Sequence, residues 1–445
     1  MSAIDSTDIE RTNDDAVVVS PINRVRGELR VPGDKSISHR AAMLGSLADG
    51  ESVIKNFSSA QDCMATINCL QALGARIVRS DSTIIIEGAR SSGLQQPAQS
   101  LDAQNSGTTM RLLAGILAGQ PFATTITGDD SLRSRPMLRV AEPLRLMGAR
   151  VETQANGCAP LRIVGCHRLQ PIHYQMPIAS AQIKSAVLLA GLAADGITTV
   201  EEPTQTRDHT ERMLPAFGAN LTRNGNACSI QAGPPLHSCN LFLPGDISSA
   251  AFFVAAAVVL PGSDLFIQDV GLNPTRTGFL FALRALGAEI DVVDERFAGG
   301  EPVGTLHVRS GASKERRTLE VSGATVSSLI DELPLLGFVA ASIGCEMKLR
   351  DASELRVKES DRVAATVENL SRMGARIEEH ADGWHLHEAD ELHGARLSSF
   401  GDHRIAMAGT VAALGAAEPS RIEGARSSVA VSLPEFWTLL DTITE

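Results

Sequence analysis

The apolar and polar positions of the chain follow one long pattern that recurs. Each occurrence has a short apolar stretch, a turn of Gly or small polar residues, a Ser- or Thr-rich helix start, and an Ala- and Leu-rich helix that ends near Gly. Successive copies have a period of roughly 70 residues, longer than most solenoid repeats. The six copies begin at Val31, Leu101, Met176, Leu243, Val321 and Leu397.

A second signature lies between the copies, where a helix passes through a glycine directly into a strand. Glycine at this point is typical of a helix C-cap, because it adopts the left-handed conformation at little cost. The signature reads LGARI at Leu73, MGARV at Met147, FGANL at Phe217, LGAEI at Leu286 and MGARI at Met373. Each repeat therefore predicts the order strand, helix, strand, helix, strand, strand. After the sixth copy we expect only one helix, from Pro434 to Ile443.

The length of 445 residues exceeds what a single hydrophobic core usually supports. We therefore expect two α/β domains of about 200 residues each, with three repeats in each domain. A purely structural explanation of the repeat is that each unit buries the face of its neighbour and that the helix starts are only caps. Each start carries its own polar residues, however, and basic residues gather near the starts, which favours a ligand-binding role.

Composition narrows the class of partner and the compartment. The net charge of −12 argues against nucleic acid or an anionic membrane as a partner. The stretch from Met1 to Val17 is polar and acidic and lacks the apolar core of a signal peptide, so we expect a frayed tail. The apolar run from Ala250 to Leu260 is too short to span a bilayer. Seven cysteines without a C-x-x-C pair indicate neither a disulfide framework nor a zinc knuckle, and a reduced cytoplasm fits best.

The first repeat start, VPGDKSISHR from Val31, is the clearest candidate for anion binding. Asp34 is a plausible N-cap, and the first N–H groups of the helix have no partner within it. Lys35, Ser36 and Arg40 therefore lie where the helix dipole would help to hold a phosphate or a carboxylate. The alternative is an ordinary cap with a solvated lysine and arginine.

Other starts carry similar groups, each weak by itself. Gly107, within NSGTT, allows a ligand to approach the backbone closely. Arg135 precedes Pro136, which we expect to start a helix. The third start combines a hydroxyl, an amide and a cation in the motif ASAQIK, and a polar loop contains a further cation; the residues are Ser180, Gln182, Lys184 and Arg207.

The densest charge cluster is RVKESDR, from Arg356 to Arg362. If a helix begins here, Lys358 and Glu359 share a face with Arg362, although helical charges are usually surface ion pairs. Asp331, in LIDELP, is a carboxylate among apolar residues, a setting that favours proton transfer. Arg404, in the motif DHR, lies at the positive end of the sixth repeat helix.

Two other motifs suggest sites that we do not predict. The stretch HADGWHLHEADELH contains His380, His385, His387 and His393, but its alternation suits an exposed strand, and no cysteine or second ligand set accompanies it. Gly-Asp-Lys-Ser from Gly33 resembles the end of a P-loop without the Walker spacing, so ATP binding is not expected.

Taken together, the ordered motifs PGDKSISHR, NSGTTMR, SRPM, ASAQIKSAVLLAGL, TRDHTE, NPTRTG, RVKESDR and DHRIAM closely resemble the EPSP synthase (3-phosphoshikimate 1-carboxyvinyltransferase) family. The resemblance covers nearly all of Val17 to Glu445 and is greatest to the bacterial branch that has ASAQ-K and TRDHTE. It implies a two-domain inside-out α/β barrel of six βαβαββ units, three per domain, joined by a two-stranded hinge.

The resemblance also implies the reaction. The family transfers the enolpyruvyl group of phosphoenolpyruvate to the 5-hydroxyl of shikimate 3-phosphate by addition and elimination, and releases phosphate without a metal or an organic cofactor. Asp331 resembles the base at the 5-hydroxyl, Glu359 the group that protonates and deprotonates the methylene carbon, and Lys35 completes the catalytic set. Shikimate 3-phosphate is expected to contact Lys35, Ser36, Arg40, Ser180, Gln182, Arg207, Asp331 and Lys358. Phosphoenolpyruvate is expected to contact Lys35, Gly107, Arg135, Gln182, Arg362 and Arg404.

The resemblance also implies that the chain leaves the first domain and later returns to it. Residues 1–33 and 246–445 are expected to form one domain, and residues 34–245 are expected to form an inserted domain. The crossings are expected at the related turns VPGDKS and LPGDIS, with the active site in the interdomain cleft. We expect a cytoplasmic monomer of the shikimate pathway that makes precursors of aromatic amino acids and is a target of glyphosate.

One position departs from the family pattern, and two other functions remain open. Enteric and plant members carry a lysine where this chain has Val431, so one contact to phosphoenolpyruvate is either missing or supplied elsewhere. The related UDP-N-acetylglucosamine enolpyruvyltransferases have Lys-Asn where this chain has Lys35-Ser36, and a loop cysteine that we cannot place here. A non-catalytic repeat-binding protein would need neither RVKESDR nor DHR.

Overall fold

The computed structural model describes residues 15–88, 93–233, 235–310, 318–388 and 391–444. Most of the predicted polar tail, residues 1–14, lies outside the described residues. The chain divides into two compact units. The terminal unit comprises the described residues of Met1–Pro32, Pro244–Arg296 and Pro302–Glu445, and the inserted unit comprises those of Gly33–Leu243 and Phe297–Glu301.

The inserted unit contains twelve described strands and seven described α-helices. Its strands are β3 Glu51–Lys55, β4 Arg76–Ser80, β5 Thr83–Glu87, β6 Leu101–Asp102, β7 Ala123–Thr127, β8 Arg150–Glu152, β9 Leu161–Val164, β10 His173–Gln175, β11 Ile197–Glu201, β12 Asn220–Asn224, β13 Ala227–Gln231 and β14 Leu241–Phe242. Its α-helices are Lys35–Leu47, Gln61–Ala72, Gly107–Ala118, Asp130–Ser134, Leu138–Leu146, Ala181–Gly191 and His209–Met213. A 3₁₀ turn, Leu214–Phe217, follows the last of these.

The terminal unit is built in the same way. Its strands are β1 Val17–Val19, β2 Arg26–Arg30, β15 Asp264–Gly271, β16 Glu289–Ala298, β17 Glu301–Arg309, β18 Thr318–Val321, β19 Glu346–Leu349, β20 Ile377–His380, β21 Gly383–Leu386, β22 Arg396–Ser398 and β23 Ser420–Glu423, with the turn between β16 and β17 grouped in the inserted unit. Its α-helices are Ile247–Val259, Gly278–Ala285, Ala324–Ser328, Leu333–Ser342, Arg362–Arg372, His403–Leu414, Ala425–Ala430 and Phe436–Ile443. A 3₁₀ turn, Ser353–Val357, precedes Arg362–Arg372.

Among the described residues the strands form six small sheets, three in each unit. The inserted unit has the orders β14-β3-β5-β4, β6-β7-β9-β8 and β10-β11-β13-β12. The terminal unit has β16-β17-β15-β2, β18-β19-β21-β20 and β1-β23-β22. Each four-stranded sheet combines one parallel pair with two antiparallel pairs, such as Leu101↔Ile126 in the parallel pair β6–β7. The predicted α/β fold of six βαβαββ-like units, three per domain, is confirmed.

Three of the sheets recruit a strand from a distant part of the sequence. Strand β2 pairs in parallel with β15, with Leu29 opposite Ile267, and β14 pairs in parallel with β3, with Leu241 opposite Ile54. Strand β1 pairs antiparallel with β23 and so completes the sixth sheet. The expectation of a single helix after the sixth copy is wrong. Strand β23 and the short helix Ala425–Ala430 lie between the sixth repeat helix and the last helix.

Local sequence explains where the repeat helices begin and end. Side chains of Asp34, Ser106, Ser180, Asp246 and Asp402 each accept a hydrogen bond from a backbone N–H in the first helical turn. The glycines of the second signature have φ between 85° and 97°, which is the left-handed region expected at a C-cap; they are Gly74, Gly148, Gly218, Gly287 and Gly374.

Each unit has its own hydrophobic core, formed around its repeat helices. Almost every residue of Ile247–Val259 is buried, so this helix is central to the terminal unit. In the inserted unit, Gly107–Ala118 packs closely against Ala181–Gly191 at Gly115. In the described part of the chain, no helix combines the length and hydropathy needed to cross a membrane.

The segment Phe297–Glu301, the turn between β16 and β17, belongs to the inserted unit. Its buried Glu301 lies 2.8 Å from Nδ1 of His209, which is also buried. Arg212 Nη1 donates to the carbonyl of Gly300 at 3.3 Å. These contacts explain why this short stretch groups with a unit that is otherwise continuous in sequence.

We predict that Gly115→Ala destabilises the inserted unit. A Cβ at Gly115 would lie 2.2 Å from the backbone oxygen of Ala186, and backbone has little freedom to move away. Overpacking of this kind costs about 1 to 3 kcal/mol, and exceeds the gain of about 1 kcal/mol from replacing a helical glycine by alanine. The measurement is the urea midpoint of unfolding.

Gly409→Ala is the matched control, because Gly409 also lies inside a helix but its added Cβ would meet only the side-chain methyls of Leu397 and Ile422, at 3.2 and 3.8 Å. We expect its midpoint to stay near that of the unmodified protein or to rise, because alanine favours the helix and the contacts are with side chains that can move. Equal midpoints for both variants would contradict the close approach of the two helices at Gly115.

A second prediction concerns His39, whose side chain is fully buried. Its Nδ1 lies 2.6 Å from Thr66 Oγ1. Burial lowers the pKa of His39 well below its ordinary value, and the cations of Lys35 and Arg40 act in the same direction. The imidazole is therefore neutral in the folded protein at pH values where the unfolded chain already binds a proton.

Because the unfolded state binds more protons below pH ~6.5, stability must fall as the pH falls through that range. With an unfolded pKa near 6.5, His39 makes the protein less stable by about 1.4 kcal/mol at pH 5.5 than at pH 7.5. In His39→Gln this contribution should be absent, so the loss between the two pH values should be smaller by that amount. Identical losses in urea unfolding of the two proteins would show that His39 charges without penalty.

Candidate functional site

The repeat helix starts of the inserted unit are joined by polar side chains. Arg40 is buried, and its Nε and Nη2 donate to Thr210 Oγ1 at 2.6 Å and to Ser185 Oγ at 2.8 Å. Its Nη1 donates to the carbonyl of Ser36 at 2.8 Å. One guanidinium therefore connects the first repeat helix, the third repeat helix and the helix that follows Arg207.

The charge of Arg40 is held by neutral hydrogen-bond partners. Burial lowers its pKa to about 10; the charges of Glu211 and Asp34 oppose this shift, and the smaller effect of Arg207 acts in the same direction as burial. Arg40 is still a cation at neutral pH. A buried cation whose hydrogen bonds go to hydroxyls and a carbonyl has no directly bonded carboxylate to neutralise it, so an anionic ligand would be favoured nearby.

Lys35 lies in the first turn of the first repeat helix and has a carboxylate partner. Its Nζ is 2.9 Å from Oδ2 of Asp62, and the two side chains are 18% and 15% exposed. Thr109 Oγ1 lies 3.3 Å from the carbonyl of the same Asp62 and 2.7 Å from Ser106 Oγ. Asp62 and Thr109 therefore connect the start at Lys35 to the start at Gly107.

The second and third helix starts meet through Gln182. Its Oε1 accepts from Arg111 Nη1 at 2.6 Å, and its Nε2 donates to Thr108 Oγ1 at 3.0 Å. A Cβ at Gly107 would lie 2.7 Å from Arg111 Nη1 and 3.6 Å from Arg135 Nη1. Gly107 is therefore surrounded by two guanidinium groups, and Arg111 is a residue that the sequence analysis missed although it closes the NSGTTMR motif.

Arg135 and Ser180 have mainly local contacts. Arg135 Nη2 donates to Asn105 Oδ1 at 2.7 Å and to Ser131 Oγ at 3.2 Å, so its side chain is tied to the second helix start. The helix after it begins at Leu138 and not at Pro136, which corrects the predicted start. Ser180 Oγ accepts from Ile183 N at 3.5 Å, as an N-cap does.

Lys184 does not have the role that its motif suggested. Its side chain is 1% exposed, and its Nζ lies 2.8 Å from Glu202 Oε1 and 2.7 Å from Glu211 Oε1. Thr206 Oγ1 also donates to Glu202, at 2.5 Å. The ammonium group of Lys184 therefore belongs to a buried ion-pair cluster. The third start keeps the predicted hydroxyl and amide, but Lys184 does not supply the predicted cation.

In the terminal unit, Arg362 is the centre of the charged cluster. It is 1% exposed, and its Nε donates to Asp402 Oδ2 at 2.8 Å. Its Nη1 lies 3.2 Å from Asp331 Oδ1, and its Nη2 lies 2.7 Å from Glu359 Oε2. The buried guanidinium of Arg362 therefore holds in position Asp331 and Glu359, the two carboxylates that are predicted to transfer protons.

These contacts also set the protonation of the cluster. Burial alone would lower the pKa of Arg362, but the Asp402, Glu359 and Asp331 carboxylates raise it above its ordinary value. Burial would raise the pKa of Asp402, and Arg362 instead keeps it low. The Arg362–Asp402 pair is therefore ionised.

Asp331 has a different environment from the one predicted. Besides Arg362, the Nζ of Lys358 lies 3.6 Å from Asp331 Oδ1, so two cations face this carboxylate where the sequence indicated apolar neighbours. Lys358 lies outside a helix, since the 3₁₀ turn Ser353–Val357 ends before it and the α-helix begins at Arg362 with Asp361 as N-cap. The predicted helical face of Lys358 with Arg362 is therefore wrong, and Asp331 brings the two cations together instead.

Arg404 approaches the same carboxylate segment from the sixth repeat helix. Its Nη1 donates to the carbonyl of Asp331 at 3.0 Å and to Glu332 Oε1 at 3.2 Å. Glu332 is a second residue that the sequence analysis missed. The signal was present, because Glu332 is the neighbour of Asp331 in LIDELP.

The histidine stretch forms a cross-strand network on the sheet β18-β19-β21-β20. His385, His387 and Glu378 lie close enough for their side-chain ligand atoms to fall within 4.8 Å of one another. Each imidazole has a carboxylate partner, Glu346 at 2.8 Å from His385 and Glu378 at 2.8 Å from His387. The predicted strand is present as β21, but its Gly383, Trp384 and Leu386 are buried, so the expectation that it is exposed is wrong.

The two sets of residues are suited to anion binding and to proton transfer. The inserted unit provides cations around three helix N-termini, and the terminal unit provides two carboxylates beside Lys358, Arg362 and Arg404. Polyanionic substrates need such cations, and an addition followed by an elimination needs a carboxyl group at each proton transfer.

Comparison with known proteins agrees with this chemistry. The family model described as EPSP synthase (3-phosphoshikimate 1-carboxyvinyltransferase) matches residues 19–440. The 3-phosphoshikimate 1-carboxyvinyltransferase of Desulforudis audaxviator is 51% identical and aligns over 96% of this chain and 98% of its own. That of Methylococcus capsulatus is 49% identical over 95% of this chain and 96% of its own. A solved structure of EPSP synthase from Acinetobacter baumannii has a TM-score of 0.86 and 40% identity, and covers 96% of this chain and 98% of that chain. The chain belongs to the EPSP synthase family.

Proposed function

We propose that this chain transfers the enolpyruvyl group of phosphoenolpyruvate to the 5-hydroxyl of shikimate 3-phosphate, as a 3-phosphoshikimate 1-carboxyvinyltransferase of the shikimate pathway. The observation that carries the proposal is the placement of Asp331 and Glu359 on two nitrogens of one buried guanidinium, at 3.2 and 2.7 Å. In this arrangement two carboxylates reach the same substrates from fixed positions.

Asp331 acts as the base at the 5-hydroxyl, and its proximity to Lys358 and Arg362 favours the carboxylate form that can accept this proton. Glu359, protonated once the substrates are bound, gives its proton to the methylene carbon of phosphoenolpyruvate in the addition step and takes one back in the elimination step, and the proton that Asp331 accepted leaves with the phosphate. Phosphate leaves in the same elimination.

The inserted unit holds the anionic groups of both substrates. Lys35, Ser36, Arg40, Ser180, Gln182 and Arg207, with Lys358 and Asp331 of the terminal unit, bind shikimate 3-phosphate. Lys35, Gly107, Arg135 and Gln182, with Arg362 and Arg404, bind phosphoenolpyruvate. The buried cation of Arg40 and the helix N-termini at Lys35 and Gly107 support this division.

The ranges 1–33 with 246–445 and 34–245 act as the two domains of the enzyme. The enzyme works as a monomer in the cytoplasm, on small-molecule substrates and without a nucleic-acid or membrane partner.

The first test of the proposed function is Asp331→Asn. Replacing the carboxylate by an amide keeps its shape but removes the base, so kcat should fall by about 10²- to 10⁴-fold while shikimate 3-phosphate still binds. The assay is phosphate release from phosphoenolpyruvate, with shikimate 3-phosphate as acceptor and UDP-N-acetylglucosamine as comparison acceptor.

Asp264→Asn is the control, since Asp264 is a carboxylate of the same unit that pairs with His307 at 2.7 Å. It should leave kcat unchanged. Turnover with UDP-N-acetylglucosamine alone would favour the related transferase, and an unchanged kcat in Asp331→Asn would remove Asp331 from the proton transfer.

The second test concerns glyphosate, which resembles phosphoenolpyruvate but is longer. We expect inhibition competitive with phosphoenolpyruvate, because Gly107 has no Cβ and the guanidinium groups of Arg111 and Arg135 lie beside it. In Gly107→Ala the added methyl should penalise the longer inhibitor more than the substrate, by about 1 to 3 kcal/mol. The ratio of the glyphosate Ki to the phosphoenolpyruvate Km should therefore rise.

Gly409→Ala, a glycine replacement in a helix of the other unit, is the control and should keep the ratio of the unmodified enzyme. A ratio that stays constant in Gly107→Ala would place Gly107 away from the inhibitor.

A further inference from the structure

Glu332 is a buried carboxylate that the proposed chemistry does not use. It is 3% exposed and directly follows Asp331, at the N-cap position of the helix Leu333–Ser342. Its side chain makes no hydrogen bond to the N–H groups of that helix. A buried charge must be compensated by other partners, so the contacts of Glu332 indicate its role.

Those contacts come from three elements of the terminal unit. Oε1 of Glu332 accepts from Arg404 Nη1 at 3.2 Å and from Ser248 Oγ, and it lies 3.8 Å from Arg276 Nη2. Arg276 is also buried and donates to the same Ser248 hydroxyl. One carboxylate oxygen of Glu332 is therefore shared by Ser248, Arg276 and Arg404.

One nitrogen of Arg404 donates hydrogen bonds to two neighbouring residues, Asp331 and Glu332. Nη1 donates both to Glu332 Oε1 and to the backbone carbonyl of Asp331, at 3.2 and 3.0 Å. Two acceptors at one nitrogen define the plane of a guanidinium, and a charged acceptor gives the stronger of the two bonds. The direction of Arg404 thus depends on the Asp331–Glu332 segment.

Charge supports the same conclusion. Arg276 and Arg404 are both buried cations, and the Glu332 carboxylate lies between them in the contact chain. If that carboxylate were neutral, the two guanidinium groups would repel each other across a site of low dielectric. Arg404 is the more exposed of the two, with 9% of its side chain accessible against 3% for Arg276, so it has more room to move.

We propose that Glu332 is a positioning residue that holds Arg404 in the orientation needed to bind the phosphoenolpyruvate anion. The inference rests on the proposed function, because it takes the assignment of Arg404 to phosphoenolpyruvate from there. Glu332 touches neither substrate in this account and acts only through Arg404.

The experiment compares Glu332→Gln with the unmodified enzyme in steady-state kinetics. The amide keeps the volume and can still accept one hydrogen bond, but it removes the charge. The Km for phosphoenolpyruvate should rise about tenfold, the loss expected for one charge-assisted hydrogen bond, while the Km for shikimate 3-phosphate changes less than about twofold. Glu332→Asp, which restores the charge on a shorter side chain, should give a phosphoenolpyruvate Km between the two.

Glu346→Gln is the matched control. It makes the same chemical change in the same unit, at a carboxylate that pairs with His385 and Lys348 and has no contact with Arg404. Both Km values should stay at those of the unmodified enzyme. Equal changes in the two Km values of Glu332→Gln would indicate a general disturbance of the fold and would overturn the proposal.

A double-mutant cycle with Arg404→Ala separates this proposal from the function on which it rests. Arg404→Ala should raise the phosphoenolpyruvate Km, and adding Glu332→Gln to it should change that Km less than about twofold, because the two residues act as one unit. Additive effects would overturn the positioning role. An unchanged Km in Arg404→Ala would instead remove Arg404 from the phosphoenolpyruvate site, and the positioning role would fall with it.

If Glu332→Gln does not fold, as judged by its thermal melt, Ser248→Ala provides the test. It removes one hydrogen bond from the carboxylate and leaves the charge in place. The phosphoenolpyruvate Km should then rise by about threefold with the shikimate 3-phosphate Km constant, the loss expected for one ordinary hydrogen bond. No rise in Ser248→Ala would contradict the proposed support of Arg404.

Discussion

The first turn of every repeat helix contains backbone N–H groups that no residue of the same helix can accept, and the structure is arranged around this constraint. Five starts satisfy part of it with a side chain of Asp or Ser, at Asp34, Ser106, Ser180, Asp246 and Asp402. Because each cap takes only one or two N–H groups, the positive end of the helix is still available to attract an anion. In the proposed function, the starts at Lys35 and Gly107 bind the negative charges of the substrates.

The fifth repeat differs, and the difference relates to its proposed role. Glu332 occupies the N-cap position of Leu333–Ser342 without a capping hydrogen bond, and Asp331 precedes it. Both acidic residues instead face the cations Arg362, Lys358 and Arg404. In the other repeats the side chain at this position caps the helix. In the fifth repeat, Asp331 and Glu332 instead contact the cations of the charged cluster.

Three of the buried cations of this acidic protein, Lys184, Arg362 and Arg40, show two kinds of environment. Lys184 and Arg362 contact two and three carboxylates, and such neutralised cations fix the fold and position other groups. Arg40 donates to two hydroxyls and a carbonyl, and burial lowers its pKa to about 10. In the proposed function, Arg40 offers shikimate 3-phosphate a charge whose hydrogen-bond partners are neutral, and Arg362 binds phosphoenolpyruvate while it also positions Asp331 and Glu359.

The sequence by itself determined the features that depend on neighbours in the chain. The six copies, the caps at Asp34 and Asp402 and the left-handed glycines such as Gly74 follow from local patterns, because caps and turns are made within a few residues. The family and most of the candidate residues followed from ordered motifs. Only the tertiary structure decided that β2 and β14 join sheets far from them in sequence, that Lys184 is buried between Glu202 and Glu211, and that Glu332 holds Arg404. Contacts of this kind join residues that lie far apart in the sequence, such as Arg404 and Glu332. Their partners depend on burial and distance in the folded chain, so local sequence patterns do not predict them.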